Sequence, residues 1–405
     1  LEAFGTGTIF TVGNCLKVNH GEIVNGLPRI ASPTHSKQGL PNTMLESFLA
    51  LLDGEKPHQM VWTADITYWI AGRQQDGSAK PAWKTEEGYL QLHKELGILP
   101  YFYYEKFWAS EPRYDSTVEV AETKTGDKTR RSFHTPMGEL DEESIYSPVS
   151  CSWGITKHFV ESEGDLDILR YLLEHRRLEP TNLADWPDRR KLWQAYDGVP
   201  SIGMPRSPLA AMMVEWAGVQ NTSYLMLDAR DKVVEILQRM EEQEGPIVDA
   251  VCDLMPPIVH FPDNLSSECT TGYYDNYMAA GHRRRIDRLH RAGVKCAVHL
   301  DGTVKGLLPK LERAGFDAIE ALTPKPAGDL DVEEIRKLAV SDTLILWGGV
   351  PGVMFAPPHD WAQMESHVHR LIECWGNRPF IMGVADQVPP DGNIEFCRNI
   401  AAIVQ

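Results

Sequence analysis

The sequence predicts an α/β protein built as a (β/α)8 TIM-type barrel. Beyond Ile247, short apolar runs alternate with amphipathic helical stretches, the spacing of a strand, a crossover helix and the next strand. Four or five such units fill the C-terminal half, with a looser version before them, and that number favours a closed ring over an open sheet. With 42% hydrophobic and 24% charged side chains the chain is globular, and its 405 residues suit two or three domains or one barrel with insertions, so length alone does not choose.

Residues 1–40 carry scattered Gly, Asn and Pro without a sustained period and read as an irregular N-terminal arm, wrapped over the body or used in subunit contact, as in a homodimer. Residues 41–405 form the barrel domain. Asn42-Thr43 caps a helix whose apolar residues Met44, Leu45, Phe48, Leu49 and Leu52 recur at helical spacing and stop at Gly54. Met60-Val-Trp-Thr63 reads as a buried strand. Leu99 to Ser150 looks like strands and turns instead. Leu99-Pro-Tyr-Phe-Tyr-Tyr104 is aromatic, Thr117–Ala121 alternates, and Thr125-Gly-Asp127 is a turn before Arg130–Thr135, so a β insertion is expected at about 110–150. It is either a lid with one wet face or a surface decoration. Then come the helix Val233–Gln243, a run through Ile247–Phe261 ending at His260 and Asp263, the basic helix Tyr277–Ala292 and the strand Val294–Leu300. They are followed by the helix Gly306–Ala314, Ala318–Ala321, the helix Val332–Leu338, Leu344–Trp347, the helix His359–Cys374 and Phe380–Gly383.

Charge and cysteine usage narrow the function. Forty Lys and Arg against 57 Asp and Glu give a net charge of −17, so nucleic acid and anionic membranes are not expected partners. The stretch Thr343–Pro358 is broken by Gly and Pro and falls short of the ~20 apolar residues of a membrane span. Residues 1–12 lack the pattern of a secretory signal. Seven cysteines (Cys15, Cys151, Cys252, Cys269, Cys296, Cys374 and Cys397) without a CxxC pair argue against a disulfide scaffold, so a reducing cytoplasm is expected.

Barrel active sites lie at the carboxyl ends of the strands, so the polar residues at the run ends are the candidates. They are His260 and Asp263, His299-Leu-Asp301-Gly302, Glu320, Trp347-Gly-Gly349 and Asp386-Gln-Val-Pro389. His299 and Asp301, two apart on an extended segment, share a face. Glu320 in such a place needs a proton, a cation or a donor.

Several segments in order resemble the uroporphyrinogen decarboxylase superfamily: Glu-Lys-Pro57 and Trp-Thr-Ala-Asp65 within Thr43–Trp69, then Thr135–Gly138, Pro205-Arg-Ser-Pro208, Asp263–Ser267, His299–Gly302, Trp347–Val350 and Gly383–Pro390. The resemblance runs from about Thr43 to the C-terminus. It implies a barrel with a deep cleft and one of two chemistries: decarboxylation of uroporphyrinogen, or methyl transfer involving a corrinoid or a thiol, usually with zinc. In the decarboxylases two arginines four residues apart clamp substrate carboxylates. Asp65 and Trp69 stand there, an acid and an indole, which is electrostatically wrong for a polycarboxylate.

The methyltransferase branch places His-x-Cys on one strand end and a second Cys before a Val-Pro-Pro-like segment. Matching those positions gives His299, Asp301 and Asp386 as the implied metal ligands, zinc being the natural ion. Oxygen ligands in place of sulfur make a harder Lewis acid, suited to a methyl ether or a methylated amine rather than to a thiol. The implied activity is methyl transfer from a small methylated donor, of aryl methyl ether or methylamine type, to a corrinoid that serves as cosubstrate or arrives on a carrier protein. His299, Asp301, Asp65 and Glu320 are the catalytic candidates, and Trp62, Trp69, Tyr103, Asp263 and Trp347 the substrate-binding ones.

Plainer readings stand beside these. A lone His-x-Asp is commonly a hydrogen-bonded pair, Asp386 fits a helix cap, Asp263 fits a turn through Ser266 and Ser267, and most of the aromatics Trp62, Trp69, Tyr101, Tyr103, Tyr104, Phe107 and Trp108 are core by base rate. The basic run His282–Arg288 suits a solvated helix face. The alternative enzyme is a metal-free decarboxylase or lyase acting on a small carboxylic acid, with Asp65 or Asp301 handling protons and Arg206 or Lys157 holding the carboxylate. A non-enzymatic binding subunit is the third reading.

Overall fold

A computed structural model of the chain describes residues 43–405, and the N-terminal arm expected for residues 1–40 lies outside them. Thr43 opens the first helix, Met44–Leu52, with a capping box: its hydroxyl accepts from the Glu46 amide and the Glu46 carboxylate accepts from the Thr43 amide. The Asp197 carboxylate ties the same helix start to the body through the amides of Met44 and Leu45.

Seven parallel strands curl around a common core in the order Val61–Thr63, Phe380–Ala385, Ile345–Pro351, Ala318–Leu322, Lys295–Leu300, Ile258–Leu265 and Ile202–Gly203. Every residue of the strands at 318–322, 345–351 and 380–385 is buried, as expected where helices cover one face and the barrel interior the other. The segment Leu99–Tyr101 bridges the two outer strands. The Leu99 amide donates to the Trp62 carbonyl at 2.9 Å, and the amides of Val199 and Ser201 donate to the carbonyls of Pro100 and Tyr101 at 3.1 and 2.9 Å. An irregular eighth member therefore closes the ring, and Pro100, which has no N–H to give, explains its irregularity.

Chain order and strand order agree along most of the ring, so each crossover helix packs on its own pair of strands. One helix runs unbroken from Arg230 to Leu254 with Pro246 inside it, where a run toward the next strand had been expected from Ile247. Past the eighth member the chain leaves the ring. Ser110–Tyr114 pairs with Arg176–Pro180, and Glu119–Thr125, Lys128–Thr135, Gly138–Ser147 and Ser152–Lys157 form a four-stranded antiparallel sheet that continues beyond residue 150. Phe133, Phe159 and Trp216 seat this sheet on the barrel at ring separations of 5.1–5.9 Å. Among the described residues, no helix is long and apolar enough to cross a membrane.

Gly348 lies where two strands crowd. Its φ is +135°, and a Cβ there would sit 2.6 Å from the backbone nitrogen of Leu322 and 2.8 Å from its carbonyl oxygen. Gly348→Ala is expected to cost roughly 3 kcal/mol or more, against about 1 kcal/mol for Gly54→Ala, since Gly54 also has a positive φ but open space around it. Thermal unfolding of the two variants beside the parent checks this, and equal midpoints would contradict it.

Candidate functional site

His299 and Glu320 are register partners on neighbouring parallel strands, so their side chains stand next to each other inside the barrel. The His299 Nδ1 and a Glu320 carboxylate oxygen are 2.5 Å apart, and the other Glu320 oxygen accepts from the Tyr101 hydroxyl at 3.0 Å. Burial works against a charged imidazole, but the Glu320 carboxylate, followed by Asp386 and Asp301, outweighs it and holds His299 up at about 9. Burial works on Glu320 in the opposite sense, and there too the pairing wins and its pKa lies below the ordinary value. The pair is an imidazolium and a carboxylate at neutral pH.

These two residues line a cleft at the carboxyl ends of the strands. Tyr68, Tyr101, Phe102, Tyr104, Phe107 and Trp108 give it an aromatic wall. Asp65, Asp301 and Asp386 also face it. The Asp65 carboxylate accepts from the Thr67 amide at 2.8 Å, starting the helix Thr67–Gln75, and from the Tyr104 hydroxyl at 3.3 Å. Burial pushes Asp65 up to about 6 despite those donors. Burial also pushes Asp386 up to about 7, with His299 opposing and Asp301, Asp65 and Glu320 adding to it. Asp301 is exposed at the mouth.

Positive φ values occur at three of the strand ends: +51° at Asn264, +58° at Ala321 and +70° at Asp386. Such backbone is costly for residues with a side chain, and it clusters beside the cleft. Two of the three accompany register slips, between Val298 and Leu300 and between Ile319 and Leu322. Three buried polar atoms among the lining residues have no hydrogen-bond partner: His260 Nε2, Arg206 Nε and Gln387 Oε1. Burial lowers His260 to about 4, so it is a neutral imidazole, packed among Tyr101, Phe107 and Trp347.

Of the candidates taken from the sequence, the structure brings His299, Glu320, Asp65, Asp301 and Asp386 to one cleft. The substrate-binding set lies behind its wall instead. Trp62 is fully buried next to Thr63, and because Thr63 turns inward to accept from the Trp347 indole at 2.8 Å, Trp62 points to the opposite face, toward the helices. Trp69 packs on Trp83, Tyr103 packs on Tyr89, and Trp347 supports Tyr101 from below at 4.7 Å. Asp263 is an anchor rather than a turn cap: it accepts from the Ser207 amide at 2.7 Å and pairs with His282 at 2.9 Å, in a buried network that Arg285 and Tyr274 complete. Thus two members of the basic run, His282 and Arg285, are buried, while Arg284 and Arg288 pair with Glu241 and Asp249 on the neighbouring helix. Lys157 lies in the inserted sheet, paired with Asp141 at 2.5 Å, and Arg206 lines the cleft.

No local signal in the sequence marks Tyr68, Phe102 or Asn264 for the cleft, and His260 and Gln387, both at run ends, have no role assigned there. His260 stood at a run end and carried a signal, whereas its lack of a partner depends on packing.

The expected metal ligands do not form a cradle. Among the described residues, the trio of His, Cys, Asp or Glu whose ligand atoms all lie within 4.8 Å of one another is His290, Cys296 and Asp317, and His299, Asp301 and Asp386 do not meet that condition. Glu320 draws the His299 ring to itself, and two carboxylates repel each other unless an ion lies between them. The trio that does converge lies at the other end of the barrel strand. There Asp317 already bonds Lys295, His290 and the Cys296 amide, and burial raises the Cys296 thiol well above its ordinary value.

Two measurements follow from this geometry. In an NMR titration the His299 ring is expected to change charge near pH 9, and in Glu320→Gln to fall back toward or below the ordinary ~6.5. The linkage has a sign. His299 holds its proton more tightly folded than unfolded, so its stabilisation is whole below about 6.5 and is lost as pH rises through about 9. Glu320, depressed, contributes above its ordinary value and loses that as pH falls. Zinc analysis of the purified protein and of Asp301→Ala is expected to give equal content, and loss of one equivalent in the variant would restore the His299, Asp301 and Asp386 site.

The uroporphyrinogen decarboxylase (URO-D) family model matches residues 189–405. No curated protein matches the chain. Among solved structures, a methyltransferase from Methanosarcina mazei aligns with a TM-score of 0.56 at 13% identity, covering 89% of this chain and 98% of that one. A B12-independent methionine synthase from Shewanella sp. W3-18-1 aligns with a TM-score of 0.47 at 10% identity over 81% of this chain and 89% of its own. At such identities the first likeness speaks for the fold alone. With a barrel closed around a cleft at the carboxyl ends of its strands, and with more than half its length matching the family model, the chain belongs to the uroporphyrinogen decarboxylase family.

Proposed function

We propose that this chain is a methyltransferase that moves a methyl group from a methylated small molecule to a corrinoid, with an aryl methyl ether as the donor its chemistry favours. The observation that carries this reading is the His299–Glu320 pair, a charged proton donor held inside a cleft with an aromatic wall. When a methyl group leaves an ether, the electron pair of the broken C–O bond stays on oxygen and must be matched by a proton. His299 supplies it, and Glu320 stabilises His299 before transfer and holds the ring in place. An amine leaving from a methylammonium departs neutral and makes no such demand.

The reduced corrinoid, when bound, supplies the nucleophile that accepts the methyl group. The donor lies in this cleft, and a corrinoid, brought by a cytoplasmic carrier protein or taken up free, would reach it through the mouth. The wall of Tyr68, Phe102, Tyr104 and Trp108 excludes water and fixes the plane of the donor ring. Asp65 and Asp386, raised into the neutral range, return a proton to the site between turnovers. No step here requires the three-ligand metal site.

The test is incubation of the protein with reduced cobalamin and a panel of methoxyaromatics and methylamines, followed through the cobalt absorption. Methoxyaromatics are expected to react, and His299→Gln to lower the rate by about 10²–10⁴ while leaving donor binding intact. Release of carbon dioxide from a small acid with no methylation of cobalamin would replace this reading with the decarboxylase.

A further inference from the structure

We infer that Arg206 is a docking point for a carboxylate on the substrate, which makes the methyl donor an aromatic acid rather than a neutral ether. The inference rests on the cleft being the donor site. Arg206 faces that cleft with its side chain nine-tenths buried. Its guanidinium lies over the Trp108 ring at 5.3 Å, and one Nη donates to the Asn264 side-chain oxygen at 3.1 Å. The other Nη approaches Glu215 at 3.6 Å, too far for a hydrogen bond, and Glu215 is 43% exposed. Nε is buried with no partner. A buried cation with an unused donor is costly unless something that visits the cleft completes it.

The site is built in advance. Ser207, the next residue, is fixed by Asp263 through its amide at 2.7 Å, and Arg285 donates to its hydroxyl at 2.7 Å. That buried network, which makes no contact with the cleft itself, holds the loop that carries Arg206. The charges facing the cleft are also sorted. Glu320, Asp386 and Asp301 act on His299, and Asp65 on Asp386, whereas Arg206 is engaged by Asn264 and Glu215. An anionic ring is repelled by the acids and drawn to Arg206, which orients it with the carboxylate on the guanidinium and the ether toward His299. A planar fork beside an aromatic plane suits a carboxylate, and the four acids disfavour a doubly charged phosphate.

The test is equilibrium binding by calorimetry of 4-methoxybenzoate and its neutral isostere 4-methoxybenzamide, at low and high salt, to the parent, Arg206→Met and Arg206→Lys. The acid is expected to bind the parent at least about tenfold more tightly than the amide, as a charge-assisted pair requires. Arg206→Met is expected to abolish that preference while the amide's affinity stays within about twofold, and Arg206→Lys, with the charge but not the fork, to keep part of it. If Arg206→Met does not fold, the Arg206→Lys result and the salt dependence in the parent decide. Equal affinities in the parent, no binding of the acid, or a preference that survives Arg206→Met would overturn the inference. These readouts need no corrinoid. A preference for the acid in a protein that methylates no cobalamin keeps the carboxylate site and removes the methyl-transfer reading. Methylation by neutral ethers without such a preference does the reverse.

Discussion

The register between two neighbouring strands sets His299 beside Glu320, and most of the cleft's chemistry depends on that one pairing. Two opposite charges inside a barrel are expensive to bring out of water, and they persist only because each compensates the other and Tyr101 satisfies the remaining carboxylate oxygen. Loss of His299 leaves the Glu320 carboxylate an isolated buried charge, at a cost of roughly 3–5 kcal/mol, whereas loss of Glu320 lets His299 give up its proton. The same pair sets the state of its neighbours. The negative charge on Glu320 helps raise Asp65 and Asp386, so the cleft holds fewer charges than the acidic and basic side chains that line it suggest.

Rigidity below and strain above divide the barrel. The lower strand segments are continuous and apolar, whereas the ends carry register slips and left-handed residues at Asn264, Ala321 and Asp386. Those departures from regular sheet let Asp386 turn into the cleft and Asn264 reach Arg206, which a straight strand would have directed elsewhere. The buried network of Ser207, Asp263, His282 and Arg285 fixes the loop after Gly203 from behind.

The sequence contained the rhythm of strands and helices because burial on both faces leaves near-continuous apolar runs, and from Lys295 onward the elements lie within a few residues of where the pattern puts them. Run ends pointed to His299, Glu320 and Asp386, since a polar residue after an apolar run is visible without coordinates. What could not be read was facing and pairing. Val61, Trp62 and Thr63 are all buried, so hydropathy cannot tell that Thr63 looks inward and Trp62 outward. Leu99–Tyr104 read only as an aromatic stretch among strands and turns, because a proline and a run of aromatics obscure a barrel strand. The contact between His299 and Glu320 spans 21 positions and follows from strand register alone. Nor does any local pattern show that Asp263 serves a buried network while its neighbour Asn264 faces the cleft.

The eighth member of the ring is joined only lightly to its neighbours. Leu99–Tyr101 is stitched to its neighbours by a handful of backbone bonds, whereas Ile345–Pro351 and Phe380–Ala385 pair at six successive positions. Counting around the ring, this joint lies directly across from the strand that carries Glu320, and Tyr101 spans the interior to touch it. Any displacement of Leu99–Tyr101 would therefore also carry the phenol off the carboxylate. One phenol thus ties the irregular member of the ring to the carboxylate that sets the charge of His299.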